Sequence, residues 1–539
     1  MKILRGEQIR RADEFTIMHE PISSIELMER AATSAYRKIR ELLKSLDGSF
    51  RIVVVCGPGN NGGDGLVIAR KLHTDGYMPV VFLVSTGKLS SDCKYQVDVF
   101  KKLSPYFVMI ESSDALVFIE DALKAKIPEN ASLFKTLNIE SYHSFPFSCA
   151  DVIVIDALFG TGLNKEPQSI FSEVIHLINR MKEINEKIKV ISIDIPSGLF
   201  CDDNSSNKGP VVMADYTLTF ELPKMSFFLP SRAKFVGDFH IIPIGILPEA
   251  IEREDSNMFF ITGEMVRKML KKRKQWSHKK NYGHSLIIGG CYGKGGAIIM
   301  SAIGCVCSGS GLTSLLIPSY LVNAVYSVLP EVMIKPDKHD KLITDVPDLT
   351  EYTCIGIGPG LGTYEESVSV VKEVISRCKC PLVLDADALN ILAMHKELIN
   401  ELPENSILTP HTGEFRRLFG TTATDEEELK KQVEFSVKHR IIIIHKRKYT
   451  VITHPDGRIY FNSSGNAALA KGGSGDLLTG MITGLISRGY TPGEASIIAT
   501  YLHGFISDMF VQEGHEDSFL PAHTKSLISM AFKKLASNT

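Results

Sequence analysis

Short apolar runs, each closed by glycine, proline or a carboxylate, recur along the chain. RIVVVCG (51–57) has hardly a polar position and is rich in β-branched residues, as a parallel strand buried on both faces requires. VVFLV (80–84), DVIVIDALFG (151–160), KVISIDIP (189–196) and YTLTF (216–220) repeat the pattern. ISSIELMERAATSAYRKIRELLK (22–44) spaces its apolar residues by three and four, which predicts an amphipathic helix. LVIARKLHTDG, after GPGNNGGDG, predicts another. Strand, loop and helix in alternation predict a parallel α/β sheet with functional loops after the strands. The pattern weakens over 100–150, where FKTLNIESYHSFPFSCA offers no recognisable chemistry.

A second series follows. HSLIIGG (284–290), TCIGIGPG (353–360), PLVLDADALN (381–390), SILTPHTGEF (406–415) and RIIIIHKRK (440–448) read as strand-to-loop junctions. AIIMSAIGCVCSGSG (297–311) is small and apolar and predicts a tightly packed helix; GSGDLLTGMITGLISRG (473–489) reads as a glycine loop feeding a helix. Between the two series, the stretch after IIPIGI (241–246) has proline, charge and little periodicity. This places one domain at 1–246, a linker at 247–262 and a second domain at 263–539. The two halves share a rhythm but no internal repeat.

Bulk composition narrows the classes. At 539 residues the chain is long for one core. Lys+Arg 60 against Asp+Glu 62 gives a net charge of -2, so there is no global basic excess to attract a nucleic acid. The local basic run MVRKMLKKRKQWSHKKN (265–281) reads as a solvated helix with snorkelled lysines, or as an attractor for an anionic dinucleotide. Trp276, the single tryptophan, is expected to pin the start of the second domain. No apolar run approaches the roughly 18 to 20 residues of a membrane span, and MKILRGEQIRRADEF lacks the apolar region of a signal peptide. The ten cysteines include Cys305/Cys307 and Cys378/Cys380 but no Cys-x-x-Cys. A zinc site would need a second, suitably spaced pair. Free thiols in a reduced, cytoplasmic chain are the expectation.

The candidate chemistry of the second half centres on KGGSGDLLTG (471–480). Gly472, Gly473 and Gly475 let backbone amides approach an anion, and the following helix points its positive end at the same place. Asp476 at the helix start is either a base for a hydroxyl attacking a phosphoryl group or an ordinary helix cap. GxGD resembles the anion-hole motif of ribokinase-like small-molecule kinases. HKKNYGHSLIIGG (278–290), GKGGA (293–297), GSGL (309–312), GIGPGLG (356–362), DADALN (385–390), LTPHTGEFRRL (408–418) and GNAALAKGGSGDLLTG (465–480) together resemble the ATP/ADP-dependent NAD(P)H-hydrate dehydratases, over roughly residues 265 to 535.

That resemblance implies a ribokinase-like α/β domain and a repair reaction. The substrates would be the hydrated nicotinamides NADHX and NADPHX, which carry a hydroxyl on ring carbon C6. ADP (the preference by family analogy) or ATP, with Mg²⁺, would phosphorylate that hydroxyl, and elimination would restore NADH or NADPH. The resemblance makes Asp476 the base and Gly472, Gly473, Ser474 and Gly475 the anion hole. Ala297, His411 and the loop Gly358–Gly362, Gly360 included, would line the hydrate site. Lys446, Gly465 and Asn466 would meet the nucleotide. Glu414 either orients water or phosphate or caps a helix, Asp385 is functional or structural, and His503 is read as packed or capped. TPHTGE stands for the family's TPHPGE, NAALAKGG for NxGMATGG, and Gly309-Ser310-Gly311 for Gly-Ala-Gly. Lys471 brings a new positive charge beside the phosphate loop.

In the first half, GPGNNGGDG (57–65) follows a buried strand. Its five glycines suit a phosphate cradle or a tight structural turn, outside the GxGxxG dinucleotide arrangement. The Asn60–Asn61 carbonyls could ligate a hard cation. Asp156 in DALFGTGLNKE (156–166) and Asp194 in DIPSGL (194–199) close their strands and can converge over one sheet edge. With MKILRGEQIRRAD and LMERAA, these motifs resemble NAD(P)H-hydrate epimerase over roughly 1 to 245. The resemblance implies a Rossmann-like three-layer αβα domain that interconverts the R and S forms at C6. It implies K⁺ on Asn61, Asp156 and Ser197. Asn60, Gly62, Gly63 and Asp64 would hold the phosphate side of the substrate, with Gly160, Thr161, Gly162, Leu163 and Lys165 closing around it. Asp194 would handle protons or grip the nicotinamide, the alternative being a cap on the turn before Pro196. FCDDNSSNKG (200–209) replaces a short polar turn such as NADTG and reads as an insert. The combined expectation is a self-associating bifunctional enzyme with small-molecule partners only, no nucleic acid and no membrane. The alternative is a kinase of a vitamin precursor whose first half is a non-catalytic binding module.

Overall fold

The computed structural model describes residues 1–46, 50–124 and 151–537. FKTLNIESYHSFPFSCA lies outside the described residues. The chain forms two compact units, Lys2–Ser256 and Asn257–Thr539 with Met1. The division falls inside 247–262, a stretch that contains a short helix, Pro248–Glu252, and a strand, Met258–Ile261.

The first unit holds a seven-stranded parallel sheet: β1 (Phe50–Cys56), β2 (Val80–Val84), β3 (Phe107–Ile110), β4 (Asp151–Ala157), β5 (Ile188–Ile193), β6 (Tyr216–Phe220) and β7 (Asp238–Ile242), in the order 3-2-1-4-5-6-7. Strand β1 shows why its run is apolar throughout. Ile52, Val54 and Cys56 enter one core, Val53 and Val55 the other. A sheet covered on both faces needs both sets of residues. The order reverses between β1 and β4, where Val55 pairs with Asp156 and Cys56 with Ala157. The two motif loops therefore leave side by side at the switch point, the usual ligand crevice of such a sheet.

Helix α1 (Gly6–His19) and helix α2 (Ser24–Lys44) precede the sheet, α2 closed by a Ser23–Glu26 capping box. Helix α3 spans Asn60–Thr74, so it starts six residues before the LVIARK reading and takes in NNGGD. The glycines explain the difference. A Cβ on Gly62 would stand 1.8 Å from the Gly57 carbonyl oxygen, and one on Gly65 would stand 2.6 Å from the Ala157 Cβ. The helix can begin directly on the strands only because those Cβ atoms are missing.

The second unit carries a ten-stranded sheet of β8 (Met258–Ile261), β9 (His284–Ile288), β10 (Leu312–Ile317), β11 (Met333–Pro336), β12 (Cys354–Ile357), β13 (Leu382–Leu384), β14 (Ile407–Leu408), β15 (Ile442–His445), β16 (Val451–Thr453) and β17 (Ile459–Asn462). The order is 11-10-9-12-13-14-15-16-17-8. It is parallel from β11 to β15, antiparallel through the β15–β16–β17 meander, and parallel again from β17 to β8. Alternate residues of β9 and β10 again feed two cores, Ile287, Leu315 and Ile317 on one side and Leu286, Ile288 and Leu316 on the other.

Helices α4 (Gly295–Cys307), α5 (Ala386–Met394), α6 (Thr412–Phe419), α7 (Ser474–Ser487) and α8 (Pro492–Val511) pack around the motif loops of this half. The expected tight packing of AIIMSAIGC is against α7. A Cβ on Gly480 would stand 1.8 Å from the Ser301 carbonyl oxygen, one on Gly304 2.3 Å from that of Leu477, and one on Gly484 2.4 Å from that of Cys305. The two backbones therefore touch, and the contact fixes where α7 begins. Gly480→Ala is expected to cost roughly 1–3 kcal/mol by overpacking, read as a lower denaturant midpoint for the second unit. An unchanged midpoint would show that α4 and α7 can spread.

Two expectations fail here. The basic run is helical only over Gly263–Met269. Beyond it the run is no longer a helix but stays largely solvated: Lys272, Lys274, Lys279 and Lys280 are exposed, while Lys271 Nζ lies 2.9 Å from Glu494 and the Arg273 guanidinium lies 4.1 Å over the Tyr282 ring. Trp276 is 91% exposed and pins nothing. No helix among the described residues is long and apolar enough to cross a membrane, and the nine described cysteines are free thiols.

Candidate active sites

In the first unit, Asp156 is fully buried at the end of β4. Its Oδ1 accepts the Ser197 hydroxyl at 2.6 Å. Its Oδ2 accepts the Ser197 amide at 2.9 Å and the Ser192 hydroxyl at 2.7 Å. Burial pushes this acid up, against the Ser197 and Ser192 hydrogen bonds, and no cationic side chain among the described residues pairs with it. Asn61 is buried with its Nδ2 unpartnered. A Cβ on Gly160 would stand 3.3 Å from the Asn61 Cβ and 3.4 Å from Asp194 Oδ2. Asn61, Asp156, Ser197 and Gly160 thus meet at the switch point, with Asp194 beside them.

Gly59 caps α3 without a side chain, and the Asn61 and Gly62 amides find no acceptor among the described residues. Unpaired amides at a helix start are donors of the kind an anion takes. Asp64 is buried, its Oδ1 has no partner, and burial, with the charges of Asp194 and Asp13, pushes the acid well above the carboxylate range. A Cβ on Gly63 would collide with Met28 at 2.7 Å. Leu163 closes a turn on the Gly160 carbonyl at 3.2 Å, while Asn60, Gly162 and Lys165 are exposed and stand outside this network.

Asp194 does not cap the turn before Pro196. Its φ is +65°, and its carboxylate reaches across to the end of β6. Oδ1 pairs with Lys224 Nζ at 2.8 Å and accepts the Phe220 amide at 3.2 Å; Oδ2 accepts the Thr161 amide at 3.3 Å. Lys224 is fully buried and also donates to the Leu222 and Phe220 carbonyls. Asp194, Lys224, Thr161, Glu221 and Asp13 line a cavity of about 70 Å³ walled by isoleucines, several times what one water needs. Asp13 and Lys224 were not singled out from sequence. The only signals were a strand end before ELPK and the place of RRAD within a family motif.

In the second unit, Gly473 caps α7 with φ +93° and no side chain, and the Gly475 and Asp476 amides have no acceptor among the described residues. The helix therefore opens toward the phosphate loop uncapped, which excludes the ordinary-cap reading of Asp476. Burial pushes the Asp476 acid up to about 6; the Asp385 charge adds to this and Lys446 opposes it. Asp385, at the end of β13, receives Lys446 Nζ at 2.8 Å and the Thr479 hydroxyl at 2.7 Å. Burial works to raise Asp385, but Lys446 and these hydrogen bonds outweigh it and hold the acid below the usual range. A Cβ on Gly475 would stand 3.0 Å from Lys446 Nζ. The lysine therefore lies under the glycine loop, and Asp385 is the residue that places it.

His411 and Glu414 cap α6 reciprocally. His411 Nδ1 accepts the Gly413 amide at 2.9 Å, and Glu414 Oε2 accepts the His411 amide at 2.9 Å. Glu414 thus takes its capping alternative. With Nδ1 accepting, the imidazole proton sits on Nε2, 3.4 Å from Glu414 Oε1. A backbone bridge joins His411 to Lys446. Gly360, at φ +62°, would bring a Cβ within 3.3 Å of the Ala297 Cβ, so those two expected site residues meet. Asp387 anchors the same loop by accepting the Gly362 amide at 2.8 Å and Lys294 Nζ at 3.0 Å.

Asn466 is anchored within its own loop. Its Nδ2 donates to Asp508 at 2.9 Å and its Oδ1 accepts the Ala468 amide at 3.0 Å. Gly465 N–H donates to the other Asp508 oxygen at 2.9 Å. Both ends of the amide help to shape the loop, and its second N–H and the other lone pair of its oxygen stay available to a ligand. Lys471 turns its ammonium to the Asp517 carbonyl, and Gly472 is exposed with open space around it. His503 packs in α8, held neutral by burial, its Nε2 and the Ser474 Oγ both buried without partners. No three acidic, imidazole or thiol side chains among the described residues converge closely enough to hold a metal by themselves.

Comparison with known proteins covers both halves. A family model described as NAD(P)H-hydrate dehydratase matches residues 285–529, and one described as YjeF-related protein N-terminus matches 24–226. The bifunctional NAD(P)H-hydrate repair enzyme of Moorella thermoacetica is 31% identical over 519 residues, covering 94% of this chain and 92% of that protein. The enzyme of the same name from Thermofilum pendens is 31% identical over 547 residues, covering 99% and 97%. A solved structure of ADP/ATP-dependent NAD(P)H-hydrate dehydratase from Bacillus subtilis, co-crystallized with ATP/Mg2+, is 30% identical, with a TM-score of 0.45, and spans 51% of this chain and 98% of that one. With the sheets described above, the family matches make the first unit Rossmann-like and the second ribokinase-like.

Proposed function

The chain belongs to the family of bifunctional NAD(P)H-hydrate repair enzymes, and we propose that it epimerises (6R)- and (6S)-NAD(P)HX in its first unit and dehydrates the (6S) form with ADP or ATP in its second. The observation that carries the second step is the uncapped start of α7: two free amides, a carboxylate whose acid sits near 6, and Lys446 held beneath them by Asp385. Asp476 takes the proton of the C6 hydroxyl as its oxygen attacks the terminal phosphorus of the nucleotide. The P–O bond to AMP (or ADP) breaks, and the free amides receive the charge of the transferred phosphoryl. Phosphate is then expelled from C6 with loss of the C5 proton, which restores the C5=C6 bond of NADH or NADPH.

Asp385, Asp387, Glu414 and Asp476 crowd this site with acid charge, for which Lys446 and Lys294 are the cations at hand. Mg²⁺ would arrive with the nucleotide, be held mainly by its phosphate oxygens and lower their charge. In the first unit, the buried Asp156 without a cationic partner, beside Asn61 and Ser197, fits a monovalent cation. K⁺ held there would supply the positive charge this acid lacks.

The test is purified chain with (6S)-NADHX, Mg²⁺ and either ADP or ATP. One NADH, one AMP (or ADP) and one phosphate per substrate consumed are expected. A stable phosphorylated product without NADH would favour the vitamin-precursor kinase and overturn the reading.

A further inference from the structure

The epimerase cavity contains an acid that neither the phosphate loop nor the cation site uses. Asp13 lies on α1, two turns from the helix start, and lines the cavity together with Asp194, Lys224, Glu221 and Thr161. Its carboxyl makes no hydrogen bond to a described residue. Asp194, by contrast, is fixed by three donors, one of them the buried Lys224 ammonium. An unpaired carboxylate in an apolar-walled cavity is costly, whereas a protonated carboxyl is far less so. The two acids thus stand in opposite environments around one space, the arrangement that separates an acid from a base.

We propose that Asp13 donates the proton to the C6 oxygen of the hydrated nicotinamide and that Asp194 accepts the proton of the water that adds back. The inference rests on the epimerase reading above. C6 carries a hydroxyl and is bonded to ring nitrogen N1. Asp13 protonates the hydroxyl, the C6–O bond breaks with its electron pair on oxygen, and water leaves. The N1 lone pair forms N1=C6, which makes C6 planar. Water then bonds C6 from the opposite face, the pair returns to N1, and the extra proton passes to Asp194. Proton exchange with solvent restores both groups. No oxidant or co-reactant enters, and only the configuration at C6 changes.

The groups facing Asp13 are Asp194, Lys224, Glu221, Asp64 and, on its own helix, Glu14. Burial, with the Asp194 charge adding and Lys224 opposing, pushes the Asp13 acid up to about 7. The donor form is therefore present below that pH and is lost above it. The experiment follows (6R)-NADHX turning into the S form without nucleotide, using full-length wild type, Asp13→Asn and Asp13→Glu. Dehydration of (6S)-NADHX controls for the second unit, and an unchanged denaturant midpoint of the first unit controls for the fold around Asp13. Asp13→Asn is expected to lose roughly 10²-fold or more in kcat with little change in KM, and to lose the decline in rate that wild type shows above about pH 7. Asp13→Glu is expected to restore part of both. An Asn variant that matches wild type, or that keeps the alkaline decline, would overturn the assignment of Asp13 alone. A wild type that does not epimerise would overturn the epimerase reading and this inference together.

Discussion

Replacing Asp476 with Asn should slow nucleotide-dependent dehydration by roughly 10²–10⁴-fold, the usual share of a general base, and leave epimerisation at the wild-type rate. The substitution keeps the side-chain volume and leaves the uncapped amides of α7 in place, so the helix and its glycine contact with α4 should survive. What disappears is the proton acceptor. The pH dependence follows from the same group. Burial, with the Asp385 charge, raises the Asp476 acid to about 6, and only its ionised form can accept a proton. Wild-type dehydration should therefore fall as pH drops through about 6, and the residual rate of Asp476→Asn should lack that limb. A variant that dehydrates at the wild-type rate would remove Asp476 from the base role. Loss of both activities in a folded protein would count against two separate sites.

Asp194→Ala should do double damage in the first unit. It removes the carboxylate paired to Lys224, a fully buried ammonium, and leaves that charge with only the Phe220 and Leu222 carbonyls. Breaking a buried pair from one side typically costs about 3–5 kcal/mol. It also places alanine at φ +65°, a conformation that Asp and Asn tolerate better. Epimerisation should be lost, and the unfolding transition of the first unit should move to lower denaturant while that of the second stays. Asp194→Asn should be equally inactive but nearer wild type in stability, because it keeps the backbone conformation and an oxygen toward Lys224. If Asp194→Ala unfolds at the wild-type midpoint, the ion pair does not hold this cavity together.

Much of the architecture is legible in the pattern alone. The runs that form β1, β4 and β15 are apolar at nearly every position because both faces of each sheet are covered, and the motif loops follow at the carboxyl ends. The start of α3 is not legible. Glycine-rich NNGGD has poor helix propensity, and only the close approach to Gly57, Cys56 and Ala157 makes those residues helical. Strand β3 is missed because it is four residues long with Met109 exposed in its middle. The glycines and Asp476 announce a phosphate site, but the Asp385–Lys446 pair joins residues 61 positions apart across the ends of β13 and β15, with β14 between them, which no local spacing reveals. Asn466 has the chemistry to bind a nucleotide. Its anchor, Asp508, stands on a helix whose sequence reads as apolar packing. Asp13 and Lys224 are marked in the sequence only by RRAD and by the strand end before ELPK, and they come together as the walls of one cavity.

The most direct test of two consecutive chemistries on one chain starts from the wrong epimer. Pure (6R)-NADHX, freshly separated, is given to the full-length protein with ADP or ATP and Mg²⁺, alongside Asp194→Asn and Asp476→Asn. Complete, nucleotide-dependent conversion to NADH by wild type is the predicted result, with Asp194→Asn leaving the (6R) form unconsumed beyond its uncatalysed interconversion and Asp476→Asn accumulating the (6S) form. Wild type that consumes (6R)-NADHX no faster than Asp194→Asn would contradict it.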